Sequence, residues 1–199
     1  NGLIAGTLGV RPCFNLNLTL AESSSATGIS APNAFSAEYN GSAQKISASI
    51  ASWYTTSYAN AVNVKYYDTS TTPKTELVNG PTQVGSYEAE FTLKDNTYYW
   101  SDDSGGSTRT AVFNITKKQI NYPTFLANKN SDEYAGGEDI IFTLSGYDNS
   151  CMDISVTSEK GNTADLSNKN LGQIKVKNVD KYNISVTLTD SDNYAWANT

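Results

Sequence analysis

The sequence predicts an all-β protein made of two similar antiparallel β-sandwich units, and three observations support this prediction. The 199 residues are rich in Tyr, Ser, Thr, Val and Ile, which suit a pleated surface with one buried side. Apolar and polar residues alternate in many short segments, as they do when successive side chains point to opposite faces of a sheet. Short motifs also recur at a nearly constant spacing, which indicates duplicated structural units.

Alternating segments predict several strands in the first half of the chain, at residues 46–50, 62–66, 87–93 and 111–115. Clusters of Asp, Asn, Ser, Thr, Gly and Pro lie between them, at residues 68–73, 79–81 and 102–106, and such clusters form turns. No long segment places apolar residues three and four positions apart, so almost no helix is expected.

The second half of the chain has the same organisation. Alternation predicts strands at residues 142–144, 154–156, 174–176 and 182–188, and an Asp- and Asn-rich turn follows at residues 190–193. Both halves therefore suit short antiparallel strands that bury one face against a core.

The matching motifs lie about 95 residues apart. Three pairs have this offset: Glu38-Tyr39-Asn40-Gly41 with Glu133-Tyr134-Ala135-Gly136, Val84-Gly85-Ser86-Tyr87 with Val179-Asp180-Lys181-Tyr182, and Phe91-Thr92-Leu93-Lys94-Asp95 with Val186-Thr187-Leu188-Thr189-Asp190. After one inserted residue, Tyr98-Tyr99-Trp100 matches Tyr194-Ala195-Trp196. This period is longer than a solenoid repeat and fits a whole sandwich domain.

The offsets predict a first unit at residues 34–118 and a second at 119–199, after a remnant of a preceding domain and a linker at 1–33. The last strand of the first unit has its equivalent at about residues 205–212, past Thr199. Three interpretations follow: truncation, a different closure of the second unit, or addition of a strand around Val10–Leu20. Truncation or local rearrangement is the preferred one.

Three motifs of the first unit resemble the tandem immunoglobulin-like repeats of large bacterial cell-surface proteins: Tyr39-Asn40-Gly41-Ser42-Ala43-Gln44, Gly85-Ser86-Tyr87 and Ile115-Thr116-Lys117. The resemblance covers residues 34–118 well and 119–199 less well, because Asp180 stands in place of Gly85 and Asp139 in place of Gln44. It implies immunoglobulin-like sandwiches and an extracellular position at the cell surface. A β-grasp-like repeat, as in mucin-binding proteins, is the alternative fold.

A second resemblance lies near the start of the chain. Gly9-Val10-Arg11-Pro12-Cys13-Phe14-Asn15-Leu16 is similar to the closing strand of an uncharacterised domain common in gut Firmicutes. That domain is related to the C-type-lectin-like fold of formylglycine-generating enzymes. This resemblance implies a gut bacterium as the source and a larger protein with neighbouring domains.

Composition argues against several classes of function. With 14 basic and 20 acidic residues the formal charge is −6, and no basic run exists that would bind nucleic acid or an anionic membrane. No window of about 18 apolar residues predicts a membrane span. The chain has no His, so Ser-His-Asp catalysis is excluded and we predict a protein that is not an enzyme. Cys13 and Cys151 are expected to be unpaired and buried, with a disulfide between them as the alternative.

Two groups of residues are candidate binding sites. Trp53, Tyr54, Tyr67 and Tyr98 belong to aromatic clusters that could stack on sugar rings, although aromatic doublets are more often part of a core. Asp190, Asp192 and Asn193 offer oxygen ligands for Ca²⁺, although this spacing is also that of an ordinary Asx-rich turn. No other cofactor is expected.

The sequence therefore predicts a non-catalytic extracellular module that acts as a stalk, a spacer or an adhesion domain. The alternative is a carbohydrate- or mucin-binding module. The expected partners are a host glycan, mucin or protein ligand and the neighbouring domains of a larger chain. Wet sheet faces would favour the spacer, and a contiguous exposed apolar patch would favour the adhesin.

Overall fold

The structure is a computed structural model that describes residues 26–102, 105–128 and 136–197. Strands dominate these residues. Helical structure among them is restricted to α1 (Thr56–Ala61) and a single 3-10 turn at Lys169–Leu171. The predicted all-β class is confirmed. Two separate hydrophobic cores form, one in a first unit that starts at Thr27 and one in a second unit that starts at Lys118.

The described residues of the first unit form seven strands: β1 (Thr27–Ile29), β2 (Phe35–Glu38), β3 (Val62–Asp68), β4 (Thr75–Glu76), β5 (Gly85–Leu93), β6 (Tyr98–Trp100) and β7 (Thr108–Thr116). Five of them form one sheet in the order β2-β7-β5-β3-β4. Its neighbours are antiparallel except for β2 and β7, which are parallel. Strands β1 and β6 form a separate parallel pair.

The inward face of the five-stranded sheet carries the core of the first unit. Phe91 and Phe113 are fully buried, and the ring of Phe35 stacks on Phe113 at 4.5 Å between centroids. Each such side chain contributes about 1.5–3 kcal/mol through removal of apolar surface from water. Helix α1 covers this core with Tyr58, and its first turn is capped by Thr55 Oγ1, which accepts the Tyr58 N–H.

The outward face of the same sheet is polar. Lys65 pairs with Glu76 at 3.0 Å, and Lys74 forms ion pairs with Glu88 and Glu90. Val112 of β7 is the large apolar side chain that is exposed in the middle of this face. The alternation of apolar and polar residues at 62–66, 87–93 and 111–115 thus corresponds to a buried and an exposed face of this sheet.

Two predictions about the first unit are wrong. Residues 46–50 form a turn rather than a strand, because the Ile46 N–H donates to Tyr66 Oη at 2.8 Å and the Ile50 and Ala51 N–H groups both donate to Ser47 O. Thr27–Ile29 was expected in the linker, but it pairs with β6 and buries Ile29 in the core. The packed unit therefore begins before residue 34.

In the part of the second unit that the structure describes there are also seven strands: β8 (Lys118–Ile120), β9 (Thr124–Ala127), β10 (Ile140–Ser145), β11 (Met152–Ser158), β12 (Gln173–Val176), β13 (Tyr182–Leu188) and β14 (Tyr194–Trp196). One antiparallel sheet has the order β12-β10-β9, a second consists of β11 and β13, and β8 pairs with β14 in parallel. Leu144 and Ile174 from the first sheet meet Ile154 and Val186 from the second, so two layers enclose one core.

Strand registers in the two units correspond. Val62 of β3 lies opposite Leu93 of β5, and Met152 of β11 lies opposite Leu188 of β13. The parallel pairs match as well: Thr27 lies beside Tyr98 in the first unit, and Lys118 lies beside Tyr194 in the second.

A tyrosine at the start of β5 and of β13 makes the same bond in both units. Tyr87 Oη donates to the carbonyl of Gln83 at 2.9 Å, and Tyr182 Oη donates to that of Asn178 at 3.1 Å. The Tyr87 ring folds over Gly85, where an added Cβ would lie 3.2 Å from Tyr87 Oη. This close approach explains the glycine of the Gly85-Ser86-Tyr87 motif.

The two units differ in how β5 and its counterpart β13 are paired. Strand β5 lies between β3 and β7, whereas β13 has β11 as its one neighbour among the described residues. The strand around Val10–Leu20, the remnant at Gly9–Leu16 and Cys13 lie outside the described residues. Cys151 is a free, buried thiol, and burial raises its pKa.

Candidate functional site

The four aromatic residues predicted to bind a ligand do not form one surface. Trp53 and Tyr54 pack against the first core, with the Trp53 ring 5.1 Å from that of Tyr58. Tyr67 lies on the wet sheet face, where the Lys74 ammonium stands 4.1 Å from its ring centroid. Tyr98 lies elsewhere, beside a cleft. The structure therefore separates the predicted set.

The cleft beside Tyr98 has a volume of about 580 Å³ and lies between the end of β5 and the start of β7. Its aromatic lining comes from Tyr98, Tyr99 and Trp100, and its polar lining includes Asp95, Asn96 and Arg109. Tyr99, which is outside the four predicted residues but in the same aromatic cluster as Tyr98, is 48% exposed. Its ring lies over Gly28 of β1, where a Cβ would come 3.0 Å from Tyr99 Oη.

Arg109 fixes one wall of this cleft. Its guanidinium donates to both carboxylate oxygens of Asp102, at 2.9 and 2.7 Å, and to the carbonyl of Gly105. The hydrogen bond to Asp102 raises the pKa of Arg109, and the cation lies 5.5 Å from the ring centroid of Trp100. Trp100 Nε1 is buried and has no hydrogen-bond acceptor among the described residues. Aromatic faces beside fixed polar groups are able to hold a sugar ring.

The predicted calcium motif lies at the contact between the two units. Asn193 is only 6% exposed, and its Oδ1 accepts the Val84 N–H of the first unit at 3.0 Å. Its Nδ2 donates to Gln83 Oε1 at 2.7 Å and to Asp190 Oδ2 at 3.0 Å. One of the two acceptor positions of the Asn193 oxygen that would ligate a cation is therefore used by the Val84 N–H. No group of three His, Cys, Asp or Glu residues suited to a metal ion exists within the described ranges.

Further contacts strengthen this junction. Lys117, the single residue between β7 and β8, donates from Nζ to the carbonyl of Ser191 at 2.6 Å. The rings of Tyr39 and Tyr194 meet edge to face at 5.4 Å between centroids, a geometry that adds about 0.5–1.5 kcal/mol to the burial of such rings.

The Tyr39–Gln44 motif shapes the end of the first unit that meets the second. Asn40 Oδ1 accepts the Ser42 N–H at 2.9 Å, and Gly41 adopts a positive φ of 78°. Gln44 is buried and donates from Nε2 to the Glu38 carbonyl at 2.9 Å. The backbone carbonyl oxygen of Gln44 would lie 2.2 Å from a Cβ added at Gly80, so only glycine fits at position 80. The motif therefore holds Tyr39 in place for its contact with Tyr194.

Sequence reasoning missed the partners of Asn193 in the first unit. Gln83 lies 110 residues away from it, and nothing in the local pattern connects the two. One signal was available: the loop Asp190–Tyr194 has one residue more than the matching loop Asp95–Tyr98, and Asn193 lies in this longer loop.

Asp180 of the second unit stands where the first unit has the motif glycine Gly85, and its carboxylate accepts several hydrogen bonds just before β13. Desolvation acts to raise its pKa, but hydrogen bonds from Ser158, Asn162 and the N–H groups of Lys160 and Lys181 outweigh this and lower the pKa to about 2. The replacement of the motif glycine by Asp180 weakens the family resemblance, and these hydrogen bonds stabilise the charged carboxylate that it introduces.

Comparison with protein-family models, with curated proteins and with solved structures found no match to this chain.

Proposed function

We propose that this chain is a non-catalytic, extracellular module of a bacterial cell-surface protein, in which two repeats stack end to end as a stiff spacer. The observation that carries the proposal is Asn193, a buried side chain of the second unit whose amide bonds directly to Gln83 and Val84 of the first. A flexible connection would leave such groups in water. One residue, Lys117, separates the units, and it too bonds across the junction.

An immunoglobulin-like form for both repeats is part of this proposal. A tyrosine near the start of a strand whose hydroxyl bonds back to the backbone a few residues upstream is a hallmark of such sandwiches, and Tyr87 and Tyr182 both make this bond. The corresponding strand registers and the two layers of the second unit support the same form. Helix α1, between β2 and β3, is the feature that favours the β-grasp alternative.

The surface supports a spacer more than an adhesin in the first unit. Its wet sheet face carries the ion pairs of Lys65 and Lys74, and a single exposed Val112 is no apolar patch. The second unit differs, because Phe125 and Leu126 on β9 are 43% and 60% exposed. Because they are consecutive on a strand, they point to opposite faces and do not form one contiguous patch.

The non-catalytic and extracellular parts of the proposal rest on the sequence. The absence of His removes the commonest general base, and the family resemblance implies a surface location. Across the described residues, no helix has the length and apolar character needed to span a membrane.

Nuclear magnetic relaxation tests the spacer. If the junction is rigid, amide ¹⁵N relaxation and residual dipolar couplings of both units should fit one diffusion tensor and one alignment tensor. Two independent tensors would show that the units move separately and would contradict the proposal. Asn193→Ala serves as the comparison variant, and Thr97→Ala, at the matching position of the first unit, serves as its control.

A carbohydrate-binding role is the second candidate, and the cleft of Tyr98, Tyr99 and Arg109 is the observation that favours it. A glycan and mucin screen should then give a signal that Tyr99→Ala abolishes. Tyr67→Ala is the matched control, because Tyr67 lies on the wet sheet face and outside the lining of the cleft. A signal that both variants retain would exclude the cleft.

A further inference from the structure

Two Asn-Gly pairs lie in the first unit, Asn40-Gly41 and Asn79-Gly80. Such a pair is chemically reactive, because glycine has no Cβ to shield its backbone nitrogen from the side-chain amide of the preceding asparagine. Both glycines have a similar positive φ, 78° and 86°, and both asparagines are exposed. The two pairs therefore differ in what surrounds them rather than in residue type or in the φ of the glycine.

The backbone nitrogen of Gly80 is held away from reaction. Its N–H donates to the carbonyl of Leu77 at 2.9 Å. A Cβ added to Gly80 would come 2.2 Å from the Gln44 carbonyl oxygen, so this glycine packs tightly against backbone. Attack of the nitrogen on the Asn79 side chain would break the hydrogen bond and move the packed turn. The fold therefore protects the Asn79-Gly80 pair.

The backbone nitrogen of Gly41 has no such restraint. Its N–H has no acceptor among the described residues, and a Cβ added to Gly41 would meet no atom within 4 Å. The Ser42 N–H also donates to Asn40 Oδ1 at 2.9 Å. A donor at this oxygen stabilises the negative charge that develops on it when a nucleophile adds to the side-chain carbonyl. This pair therefore combines an available nucleophile with an activated carbonyl.

We infer that Asn40 is a modification site, at which the folded chain deamidates spontaneously with water as the co-reactant. The Gly41 nitrogen loses its proton to hydroxide and bonds to Cγ of Asn40. The bond from Cγ to Nδ2 breaks, and the leaving nitrogen takes a proton from water and departs as ammonia, which leaves a cyclic succinimide. Water then opens one of the two ring carbonyls. The products are aspartate and isoaspartate, and in isoaspartate the main chain runs through Cβ and Cγ.

The modification changes the end of the first unit that meets the second. Isoaspartate adds a negative charge and lengthens the main chain by a methylene group directly after Tyr39. The N–H of Tyr39 donates to the Thr116 carbonyl at 2.9 Å, and its ring packs on Tyr194. The longer turn should weaken this ring contact, so the junction loosens as the chain ages. The chemical site itself does not depend on the spacer proposal.

Peptide mapping of the full chain during incubation in mildly alkaline buffer tests the site. Cleavage after glutamate separates Asn40, in residues 39–76, from Asn79, in residues 77–88, and mass spectrometry follows the deamidation of each fragment. In the folded chain Asn40 should react about tenfold faster than Asn79, because the Gly80 hydrogen bond adds to the barrier. In guanidinium chloride, where neither turn exists, the two rates should become similar.

Two variants at Ser42 give an independent arm. Ser42→Pro removes the N–H that donates to Asn40 Oδ1 and should slow deamidation of Asn40 about fivefold in the folded chain. Ser42→Ala keeps this N–H and should leave the rate unchanged. In guanidinium chloride both variants should react like the unchanged chain. If Ser42→Pro fails to fold, the comparison of Asn40 with Asn79 still decides the question.

Several results would overturn the inference. They are an unmodified Asn40 in the folded chain, deamidation of Asn79 as fast as that of Asn40, and equal rates in the two folded Ser42 variants. The effect on the junction has its own measurement: amide exchange at Val84, whose N–H bonds to Asn193, should be faster in chains that carry isoaspartate at position 40. Unchanged exchange would refute the loosening, whereas the peptide map alone decides the site.

Discussion

Replacing Asn193 by Ala should loosen the contact between the two units while leaving each unit folded. The change removes two hydrogen bonds across the junction, from Val84 N–H and to Gln83 Oε1, and two within the turn, to both carboxylate oxygens of Asp190. The backbone bond from Lys118 N–H to the Asn193 carbonyl is retained. The perturbation is therefore local to the junction.

The expected magnitude follows from the two bonds lost across the junction. A neutral hydrogen bond contributes about 1 kcal/mol net, so the closed junction should lose about 2 kcal/mol. Val84 and Gln83 lie at a rim that water can enter once the amide is gone, so no larger desolvation penalty is expected. About 2 kcal/mol corresponds to a roughly 30-fold rise in the open population.

Amide hydrogen exchange at Val84, whose N–H loses its acceptor in this variant, reports the loss of the Asn193 contact together with any opening of the junction. Under conditions in which the rate follows the opening equilibrium, exchange of Val84 should accelerate roughly 30-fold, while amides in the middle of β5 keep their rates. Thr97→Ala is the control, since Thr97 bonds to Asp95 within the first unit as Asn193 bonds to Asp190. Unchanged exchange at Val84 would refute the reasoning, because Asn193 would then not hold the junction closed.

Three more predictions concern stability. Gly80→Ala should destabilise the first unit by about 2–4 kcal/mol, because φ at Gly80 is positive and the added Cβ would collide with the Gln44 carbonyl. Gly41 also has a positive φ, but a Cβ added there meets no atom within 4 Å, so Gly41→Ala should cost only about 1 kcal/mol. Urea unfolding of the two variants compares these costs. Tyr87→Phe should cost about 1 kcal/mol through loss of its bond to the Gln83 carbonyl, and an unchanged urea midpoint would contradict that role. The pKa of Asp180 is about 2 in the folded chain against an ordinary 3.8, so the stability that its carboxylate contributes is present above about pH 4 and is lost as the pH falls toward 2. Asp180→Asn should therefore flatten the pH dependence of the urea midpoint in this range. An unaltered pH profile would show that the carboxylate is not responsible.

Most strands could be predicted because their signal is local. Period-two alternation marked β3, β5, β7, β11 and β13, each of which buries one face. The same signal failed at residues 46–50, where the Tyr66 hydroxyl takes the Ile46 N–H that a strand would use. That partner lies 20 residues away, and an alternation rule cannot anticipate a competing donor–acceptor pair at such a distance.

The site was harder to predict than the fold, because its meaning depends on residues that are remote in sequence. An Asx-rich turn, a calcium loop and a junction loop share the same residue types, and Asn193 was assigned to the first two. What decides between them is the presence of Gln83 and Val84 opposite the Asn193 amide. Tyr99 belongs to one of the predicted aromatic clusters but not to the four residues chosen, because a doublet of tyrosines does not tell which ring is exposed.

The cleft and the junction occupy corresponding positions in the two units. Tyr98 lies beside Thr27 in the first unit as Tyr194 lies beside Lys118 in the second, and the ring of Tyr194 is the one that packs on Tyr39 of the preceding unit. In the second unit, the position equivalent to Tyr98 therefore makes a protein contact with the preceding unit. This equivalence weighs against the interpretation of the cleft as a sugar-binding site. A glycan signal that Tyr99→Ala abolishes and Tyr67→Ala retains would outweigh that argument, because it would give the first unit a use of this position that the second does not have.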